Sequence, residues 1–338
     1  MRRQVSEDSG RVGEGPADQV ASIAERRRLV HMNEQSPSLP PRIVIRQSYR
    51  SDTPLHAIAM AGWHRLISAG ADNKLRVHNA ETGRVLETFD GFKRFVTAIR
   101  ALDDRQVLLF FAAQYALLDL ETGQVEDSES TTAARSALVE RLSPAQFVTA
   151  PMLAPVTFTP PRGNQAVAEA KLDANHVVYA SEDRLNSTRN QYFHVWNVPR
   201  GREMRSFWGV DSEVLSLIGL DGRRVLSSHE DEYFRIWDVE TTEQVRRIEH
   251  RCGKVGPMMP VDKAWLLFAP VNPTEAQRLA YWHWRPSDCT LRLWDLDAGI
   301  ELASLQCGAA ITELARVDRH RFWARDEGSC LQLIEVVR

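Results

Sequence analysis

A unit of about 40 residues recurs along this chain, and no other feature restricts the possible folds as strongly. The clearest copy runs from Glu213 to His250 and reads EVLSLIGLDGRRVLSSHEDEYFRIWDVETTEQVRRIEH. Four short apolar runs (VLSLI, RVLSS, YFRIWD and QVRRI) alternate with turn residues, which predicts four β-strands in the unit. Four strands in about 40 residues is the size of one β-propeller blade.

The spacing of one position counts the repeats. The residues at the Trp of the Trp-Asp pair are His78, Leu118, Trp196, Trp237, Trp294 and Ile334. The intervals between them are 40, 78, 41, 57 and 40 residues. We interpret the interval of 78 as two periods, with a repeat that lacks the signature near Phe158, and the interval of 57 as one period plus an insertion. Polar hairpin turns before the second strands also number seven, the third being SPAQFVT at 143–149. The sequence therefore predicts an all-β, seven-bladed propeller.

These residues resemble the WD40 repeat family, over roughly residues 42–338. In that family a Ser on the second strand, an Asp in the next turn and the Trp on the third strand share a hydrogen-bond network with a His. The matching residues here are Ser227, Asp231 and Trp237 in the fifth repeat, Ser68, Asp72 and His78 in the first, and Asp288 and Trp294 in the sixth. The expected His positions hold Val210 and Ser51 instead, so the repeats are divergent and the network is expected to lack its His.

The two ends of the repeat region predict how the ring closes. The chain ends at Arg338, after a strand that matches the third of a blade, while an additional strand, RIVIRQS, precedes the first repeat at 42–48. The resemblance implies closure by an N-terminal strand, which removes exposed sheet edges. We expect residues 43–48 to pair with residues 331–337.

The chain divides into a tail at 1–41 and a propeller at 42–338. The segment 2–15 is polar and Gly-rich, which is typical of disorder. Residues 19–32 (QVASIAERRRLVHM) have the pattern of a short amphipathic helix, although such helices are marginal in water when isolated. The tail is therefore expected to be mostly disordered or helical.

Catalytic and metal signatures are absent from the sequence. It contains no G-x-S-x-G, P-loop, H-E-x-x-H or G-x-G-x-x-G motif. His229-Glu230-Asp231 is the nearest metal-like cluster, but it falls on a blade turn and is interpreted as structural or solvated. We therefore expect no catalytic residues, no cofactor, no metal and no enzymatic activity.

Two insertions suggest a binding surface. The loops at 270–288 and 181–190 both join the second and third strands of a blade, in the sixth and fourth repeats, and the resemblance places such loops on one face. Loops on a rigid scaffold often carry binding residues, and Trp, Tyr and Arg dominate interface hot spots. The candidate partner-binding residues are Tyr281, Trp282, His283, Trp284, Arg285, Arg184 and Arg189. Packing of the longer loop on the propeller itself is the alternative. At the opposite turns, Trp63 and Trp265 are expected to pack on the rim.

Charge and composition narrow the choice of partner. The net charge is −3, so Arg26–Arg28 and Arg223–Arg224 are interpreted as solvated surface charge and no nucleic acid is expected. The chain has 37 Arg against 5 Lys, which favours a GC-rich bacterial source. The Cys residues show no metal spacing, no stretch approaches the length of a membrane span, and no signal peptide precedes the repeats. We expect a cytoplasmic, membrane-free adaptor or interaction platform that binds a protein or peptide. The alternative is a small-ligand or enzymatic propeller that uses its central channel.

Overall fold

The computed structural model describes residues 40–111, 115–127, 165–182, 191–197, 199–200, 202–210, 212–270 and 289–338. Within these ranges the chain forms 24 β-strands, separated by turns, and no helix. Residues 41–337 belong to one compact unit. No helix of the described part is long and apolar enough to cross a membrane.

The strands form six four-stranded antiparallel sheets, numbered here I to VI along the chain. Strands a to d run from the inner to the outer strand of each sheet. Sheet I comprises β2 (Leu55–Ala61), β3 (Arg65–Gly70), β4 (Leu75–Asn79) and β5 (Val85–Phe89). Sheet II comprises β6 (Ala98–Ala101), β7 (Gln106–Phe110), β8 (Tyr115–Asp119) and β9 (Val125–Asp127). Sheet III comprises β10 (Gln165–Lys171), β11 (His176–Glu182), β12 (Gln191–Asn197) and β13 (Arg202–Trp208).

The remaining three sheets follow the same order. Sheet IV comprises β14 (Val214–Gly219), β15 (Arg224–His229), β16 (Tyr233–Asp238) and β17 (Glu243–Glu249). Sheet V comprises β18 (Val255–Pro260), β19 (Trp265–Pro270), β20 (Thr290–Asp295) and β21 (Ile300–Gln306). Sheet VI comprises β22 (Ile311–Arg316), β23 (Arg321–Asp326), β24 (Cys330–Val337) and, as its outer strand, β1 (Arg42–Arg50). The prediction of an all-β propeller is confirmed.

The number of blades differs from the prediction, because the described residues form six blades where the sequence analysis predicts seven. Sheets I to VI correspond to predicted repeats 1, 2, 4, 5, 6 and 7. The predicted third repeat depended on dividing the 78-residue interval from Leu118 to Trp196 into two periods. That repeat carries no Trp-Asp signature, and it falls on residues 128–164, outside the described part of the chain. The predicted tail elements at 1–39 lie outside it as well.

Burial along the strands explains their composition. The second strand of a blade is sandwiched between two neighbouring sheets, and β3, β15 and β19 are each buried at five consecutive positions. A strand that is buried on both faces reads as an apolar run rather than as an alternation. The outer strand is different, because β5 is exposed at four of its five positions. The second and the outer strand of a sheet can therefore be distinguished by how many of their residues are buried.

The core lies between sheets. Five apolar clusters in the described residues each join two successive sheets. Representative pairs are Ile67 with Leu109 (I and II), Val195 with Trp237 (III and IV), Phe234 with Phe268 (IV and V), Leu293 with Phe322 (V and VI) and Leu333 with Leu66 (VI and I). Each fully buried large apolar side chain stabilises the fold by about 1.5–3 kcal/mol.

The predicted closure is confirmed. β1 pairs antiparallel with β24, from Arg42 opposite Val337 to Arg50 opposite Cys330. Ile43 is buried in the cluster between sheets V and VI. An ion pair between Arg46 and Glu335 crosses the same pair of strands. The two ends of the propeller region are thus joined in one sheet, although about 290 residues lie between them.

Candidate binding surface at the loop end of the propeller

Each sheet has two ends, and one of them collects the longer connections. Here the b–c turns and the d–a connections lie together, and we call it the loop end. Backbone hydrogen bonds join the two kinds of segment: Ala71 N–H donates to the Pro54 carbonyl (2.8 Å), and Glu327 N–H donates to that of Ala310 (2.9 Å). The predicted placement of both segment types on one face is therefore confirmed. The opposite end, made of a–b and c–d turns, is called the hairpin end.

The candidate partner-binding residues of the sequence analysis fall on two b–c loops of this end. The structure describes neither 183–190 nor 271–288, so it says nothing about the following residues: Arg184, Arg189, Tyr281, Trp282, His283, Trp284 and Arg285. The strands that carry these loops, β11 and β19, do end at the loop end. Two boundaries are corrected: Ser181, which is fully buried, and Glu182 belong to β11, and Pro270 belongs to β19, so none of them is part of an insertion.

An exposed aromatic stack occupies the described part of the loop end. Phe95 lies in the connection at 90–97, between β5 and β6, and it is 52% exposed. Its ring stacks on the His56 imidazole, with the ring centroids 5.2 Å apart. Lys93 and Arg94 precede it on the same connection and are exposed. The connection therefore combines an exposed aromatic ring with two cationic side chains, and it lies outside the two insertions, in which the sequence pattern predicted the binding residues.

This connection is long for its kind. It spans eight residues, whereas those at 51–54 and 307–310 span four. The extra length carries Phe95 over the start of the neighbouring strand β2, where His56 sits at a β-bulge between Leu55 and Ala57. The bulge turns the imidazole out of the sheet, because a bulged residue lies outside the regular alternation. This places the His56 ring against the Phe95 ring.

A half-buried carboxylate, that of Glu313, connects the inner strands of sheets VI and I. The Glu313 Oε2 accepts a hydrogen bond from the backbone N–H of Ile58 (2.8 Å) and another from Arg325 Nε (3.2 Å). Arg325 Nη1 also donates to the carbonyl of Leu55 (2.9 Å). Burial raises the pKa of Glu313, and the positive charges of Arg325 and Arg100 oppose that rise. The cluster links sheet VI to sheet I at the axis of the propeller, with Arg100 of sheet II acting on the same charge.

A shallow polar depression lies at the seam between sheets VI and I. Its volume is about 460 Å³, and it is lined by Arg50, Ser51, Asp52, Thr53, Pro54, Gly328 and Ser329. The Thr53 hydroxyl is buried and has no hydrogen-bond partner among the described residues. Ser329 is already engaged, because its Oγ accepts from Leu55 N–H (3.0 Å) and its carbonyl accepts from Ser51 N–H (3.1 Å). Hydrogen bonds to Ser329 thus join the two sheets across the depression.

The hydrogen-bond network of sheet IV is more complete than expected. Trp237 Nε1 donates to Ser227 Oγ (2.8 Å), as the resemblance implies. The expected His position is indeed Val210, but a histidine from another position takes part: His229 Nε2 lies 2.7 Å from the same hydroxyl. Its Nδ1 lies 3.2 Å from the Ser212 carbonyl oxygen. His229 comes from strand b, whereas the family pattern places the His in the connection before the blade, at Val210. Its full burial confirms a structural role.

Sheet I has a shorter form of this network, and sheet V has none. In sheet I, Ser68 Oγ lies 2.8 Å from Nε2 of His78, which replaces the Trp. In sheet V the position of the Ser is taken by Phe268, and the buried indole N–H of Trp294 has no hydrogen-bond partner among the described residues. Trp294 packs on Phe268 instead, with ring centroids 6.1 Å apart.

Sheet III contains a Ser-His-Glu series that has the geometry of a nucleophilic triad. Ser181 Oγ lies 2.8 Å from His194 Nε2, and His194 Nδ1 lies 3.1 Å from Glu203 Oε2. Ser181 is fully buried and His194 is 4% exposed, so no substrate carbonyl can reach the hydroxyl in this structure. The series therefore orders the blade interior, like the Ser-His pairs of sheets I and IV.

The arginines singled out in the sequence are neutralised where the structure describes them. Arg223 forms ion pairs with Asp238 (2.5 Å) and Glu240 (3.1 Å), and Arg224 pairs with Asp221 (2.8 Å). These contacts leave no concentrated positive charge at that turn for phosphate. The described residues also contain no group of three or more His, Cys, Asp or Glu placed to hold a metal ion.

Two comparisons with known proteins identify no family for this chain. No protein-family model matches the chain. No curated protein sequence matches it either.

Proposed function

We propose that this chain is a divergent WD40-type propeller that serves as a protein-interaction platform, with its main binding surface at the loop end. Phe95 carries the proposal. A phenylalanine that is 52% exposed, stacked on His56 and flanked by Lys93 and Arg94, matches the aromatic and cationic composition of interface hot spots. The ring is held in place before any partner arrives, which lowers the entropic cost of binding.

The partner in this proposal is a protein or peptide with an acidic and apolar segment. Lys93, beside Phe95, would steer acidic groups, and the ring would cover an apolar side chain. The insertions at 183–190 and 271–288 leave from the same end, so Trp282, Trp284 and Arg285 would extend the surface. Nucleic acid is not the proposed partner, given the net charge of −3 and the paired Arg223 and Arg224. The proposed location is the cytoplasm of a bacterium, and no catalytic activity is proposed.

The experiment is a comparative affinity purification from the source cell followed by mass spectrometry. The wild type is compared with Lys93→Ala/Phe95→Ala and with Trp282→Ala/Trp284→Ala/Arg285→Ala. Val245→Ala is the matched control, because Val245 is also an exposed apolar side chain (57%) but lies on the outer strand β17. Circular dichroism melts first establish that all variants fold alike.

The expected result is one protein that wild type and the Val245 variant retain and the Phe95 variant loses. Truncation of a hot-spot aromatic costs about 2 kcal/mol or more, which is roughly a thirtyfold loss of affinity. Loss in the loop variant as well would extend the surface to the sixth repeat. Equal retention by all four proteins contradicts the loop-end proposal.

A second candidate function is binding of a small polar ligand at the axis. The observation that favours it is the convergence of Glu313, Arg325 and Arg100, since both arginine charges act on the Glu313 carboxylate. Glu313 and Arg325 already hold backbone groups of Ile58 and Leu55, which leaves fewer sites for a ligand. A thermal-shift screen of small carboxylates and phosphates tests it, with Arg100→Ala as the variant that should remove any stabilisation found.

A further inference from the structure

The a–b turns at the hairpin end follow one plan in five of the six described sheets. Each begins with an Asp whose carboxylate accepts hydrogen bonds from the backbone N–H groups two and three residues later. These are Asp103, Asp173, Asp221, Asp262 and Asp318, with N···O distances of 2.6–2.9 Å. Such side-chain caps stabilise a tight turn locally.

The turn of sheet I departs from the plan at two successive positions. Gly62 stands where the other turns have Asp, and Trp63 stands at the tip. The tip residues of the other turns are polar, charged or small: Asp104, Ala174, Gly222, Lys263 and Arg319. Sheet I therefore lacks the two capping hydrogen bonds and has a Trp where solvent-compatible residues are found elsewhere.

Trp63 is 72% exposed, the largest exposure of any large apolar side chain in the described residues. The expectation that it packs on the rim, like Trp265, is wrong for this residue. Trp265 contacts the cluster between sheets V and VI, whereas Trp63 touches the His64 ring, at 5.0 Å between centroids. Because most of its surface is exposed, Trp63 contributes little burial energy to the fold.

The turn backbone is shaped to lie against sheet II. Gly62 has φ of +63°, and a Cβ added there would meet the Cβ of Asp104 at 3.0 Å. Both the positive φ and the close approach require glycine. Asp104 thus lies beside the turn that carries Trp63. An indole ring and a carboxylate, both exposed, are neighbours at the junction of sheets I and II.

The charges around this pair determine which partner fits. Asp104 is exposed, and no hydrogen bond or ion pair to its carboxylate is recorded among the described residues; its carbonyl accepts from Arg65 Nη1 (3.3 Å). The nearby Arg105 is held by Asp119 (2.6 Å) and Glu121 (3.0 Å), and Arg321 by Glu81 (2.5 Å) and Asp318 (2.6 Å). With Arg105 and Arg321 held in these ion pairs, the exposed Asp104 carboxylate has no cationic side-chain partner among the described residues.

We propose that Trp63 and Asp104 form a second binding surface, at the hairpin end, for a protein partner that presents an arginine or lysine side chain. The cation would lie over the indole face, which is the most favourable aromatic partner for a cation. It would also pair with the Asp104 carboxylate. This surface is independent of the proposed loop-end site and lies at the other end of the propeller.

The probe is a fluorescein-labelled Gly-Ser peptide that carries several arginines, titrated into the full chain and followed by fluorescence anisotropy. Citrulline replaces arginine in the control peptide, because it keeps the shape and removes the charge. The protein variants are Trp63→Ala, Asp104→Asn and, as the matched control, Arg319→Ala at the same turn position of sheet VI. Trp63→Ala should melt with the wild type, since the ring is exposed.

The expected result is binding of the arginine peptide to wild type and to the Arg319 variant. Trp63→Ala should weaken it about tenfold, and Asp104→Asn severalfold, with a reduced dependence on salt. Equal binding by Trp63→Ala, or equal binding of the citrulline peptide, overturns the proposal. Sedimentation equilibrium supplies one more outcome: a wild-type dimer that Trp63→Ala converts to monomer would show that a second copy of this chain covers Trp63, and would also overturn it.

Discussion

Trp237 donates its indole N–H to the hydroxyl of Ser227 across 2.8 Å, and the two residues lie on neighbouring strands of sheet IV. The same hydroxyl lies 2.7 Å from His229 Nε2, so one serine satisfies two buried ring nitrogens. Leaving a buried donor without a partner costs about 1–3 kcal/mol. Loss of the Ser227 hydroxyl should therefore lower the free energy of unfolding by more than the removal of one small group would suggest.

Ser227→Ala should lower the free energy of unfolding by about 2 kcal/mol, because it leaves the nitrogens of Trp237 and His229 unpaired. The matched comparison is Trp237→Phe against Trp294→Phe. Both remove similar apolar volume, but Trp294 has no hydrogen-bond partner among the described residues. Urea unfolding should show the larger loss for Trp237→Phe, and equal losses would contradict the role assigned to the hydrogen bond.

The stability should fall as the pH is lowered from 7 towards 4. Burial lowers the pKa of both His229 and His250 from 6.5 to about 4. Their contribution is complete above pH 6.5 and is lost as the pH falls through 4, because the unfolded chain binds these protons first. Asp residues with lowered pKa values, such as Asp72 and Asp231, add a loss only below about pH 4.

His250→Gln should flatten this profile between pH 6.5 and 4, since it removes one of the two histidines. His250 packs against Phe234, with ring centroids 4.3 Å apart, so the variant also starts from a lower stability at pH 7. The measurement is the thermal midpoint at several pH values in one ionic strength. A profile parallel to that of the wild type would refute the assignment to His250.

Closure of the ring should depend on the inward face of β1. Ile43 is 8% exposed and Ile45 is 39% exposed on the same strand. Ile43→Asp places an unpaired carboxylate in the cluster between sheets V and VI and should cause aggregation or loss of several kcal/mol, whereas Ile45→Asp should be tolerated. Deletion of residues 1–50 should expose the edge of β24 and have the stronger effect. A soluble, monomeric protein after that deletion, seen by size-exclusion chromatography, would show that β1 is not needed.

Gly219 should be intolerant of any side chain. A Cβ built there would lie 2.1 Å from the carbonyl oxygen of Lys171, so the inner strands β14 and β10 approach each other at this point. Gly219→Ala should separate them and destabilise the fold by several kcal/mol. Gly222→Ala is the control, because its Cβ would meet nothing closer than 3.8 Å. Differential scanning fluorimetry compares the two, and similar midpoints would disprove the close approach.

The strands could be predicted from the sequence because the four strands of each blade lie within about 40 consecutive residues. Apolar runs bounded by turn residues predicted the strands, and the pairing of residues 43–48 with 331–337 followed from one strand lacking at the C-terminal end and one additional strand at the other. The hydrogen bond between Ser227 and Trp237 was an implication of the resemblance to the WD40 repeat family. These features depend on residues that are close in sequence or on the number of strands at each end of the repeat region, and both can be read from the sequence.

Contacts between segments of different blades were decided by the tertiary structure. His56 and Phe95 stack because a bulge and a long connection meet at the loop end, and no periodicity relates them. Trp63 was assigned to a turn, but its exposure depends on how Gly62 lies against Asp104 of the next sheet. The role of His229 was missed because a strand residue, rather than the expected connection, reaches Ser227. Sequence periodicity determines which residues form strands, while the ring geometry determines which turns become neighbours, and that depends on all the blades at once.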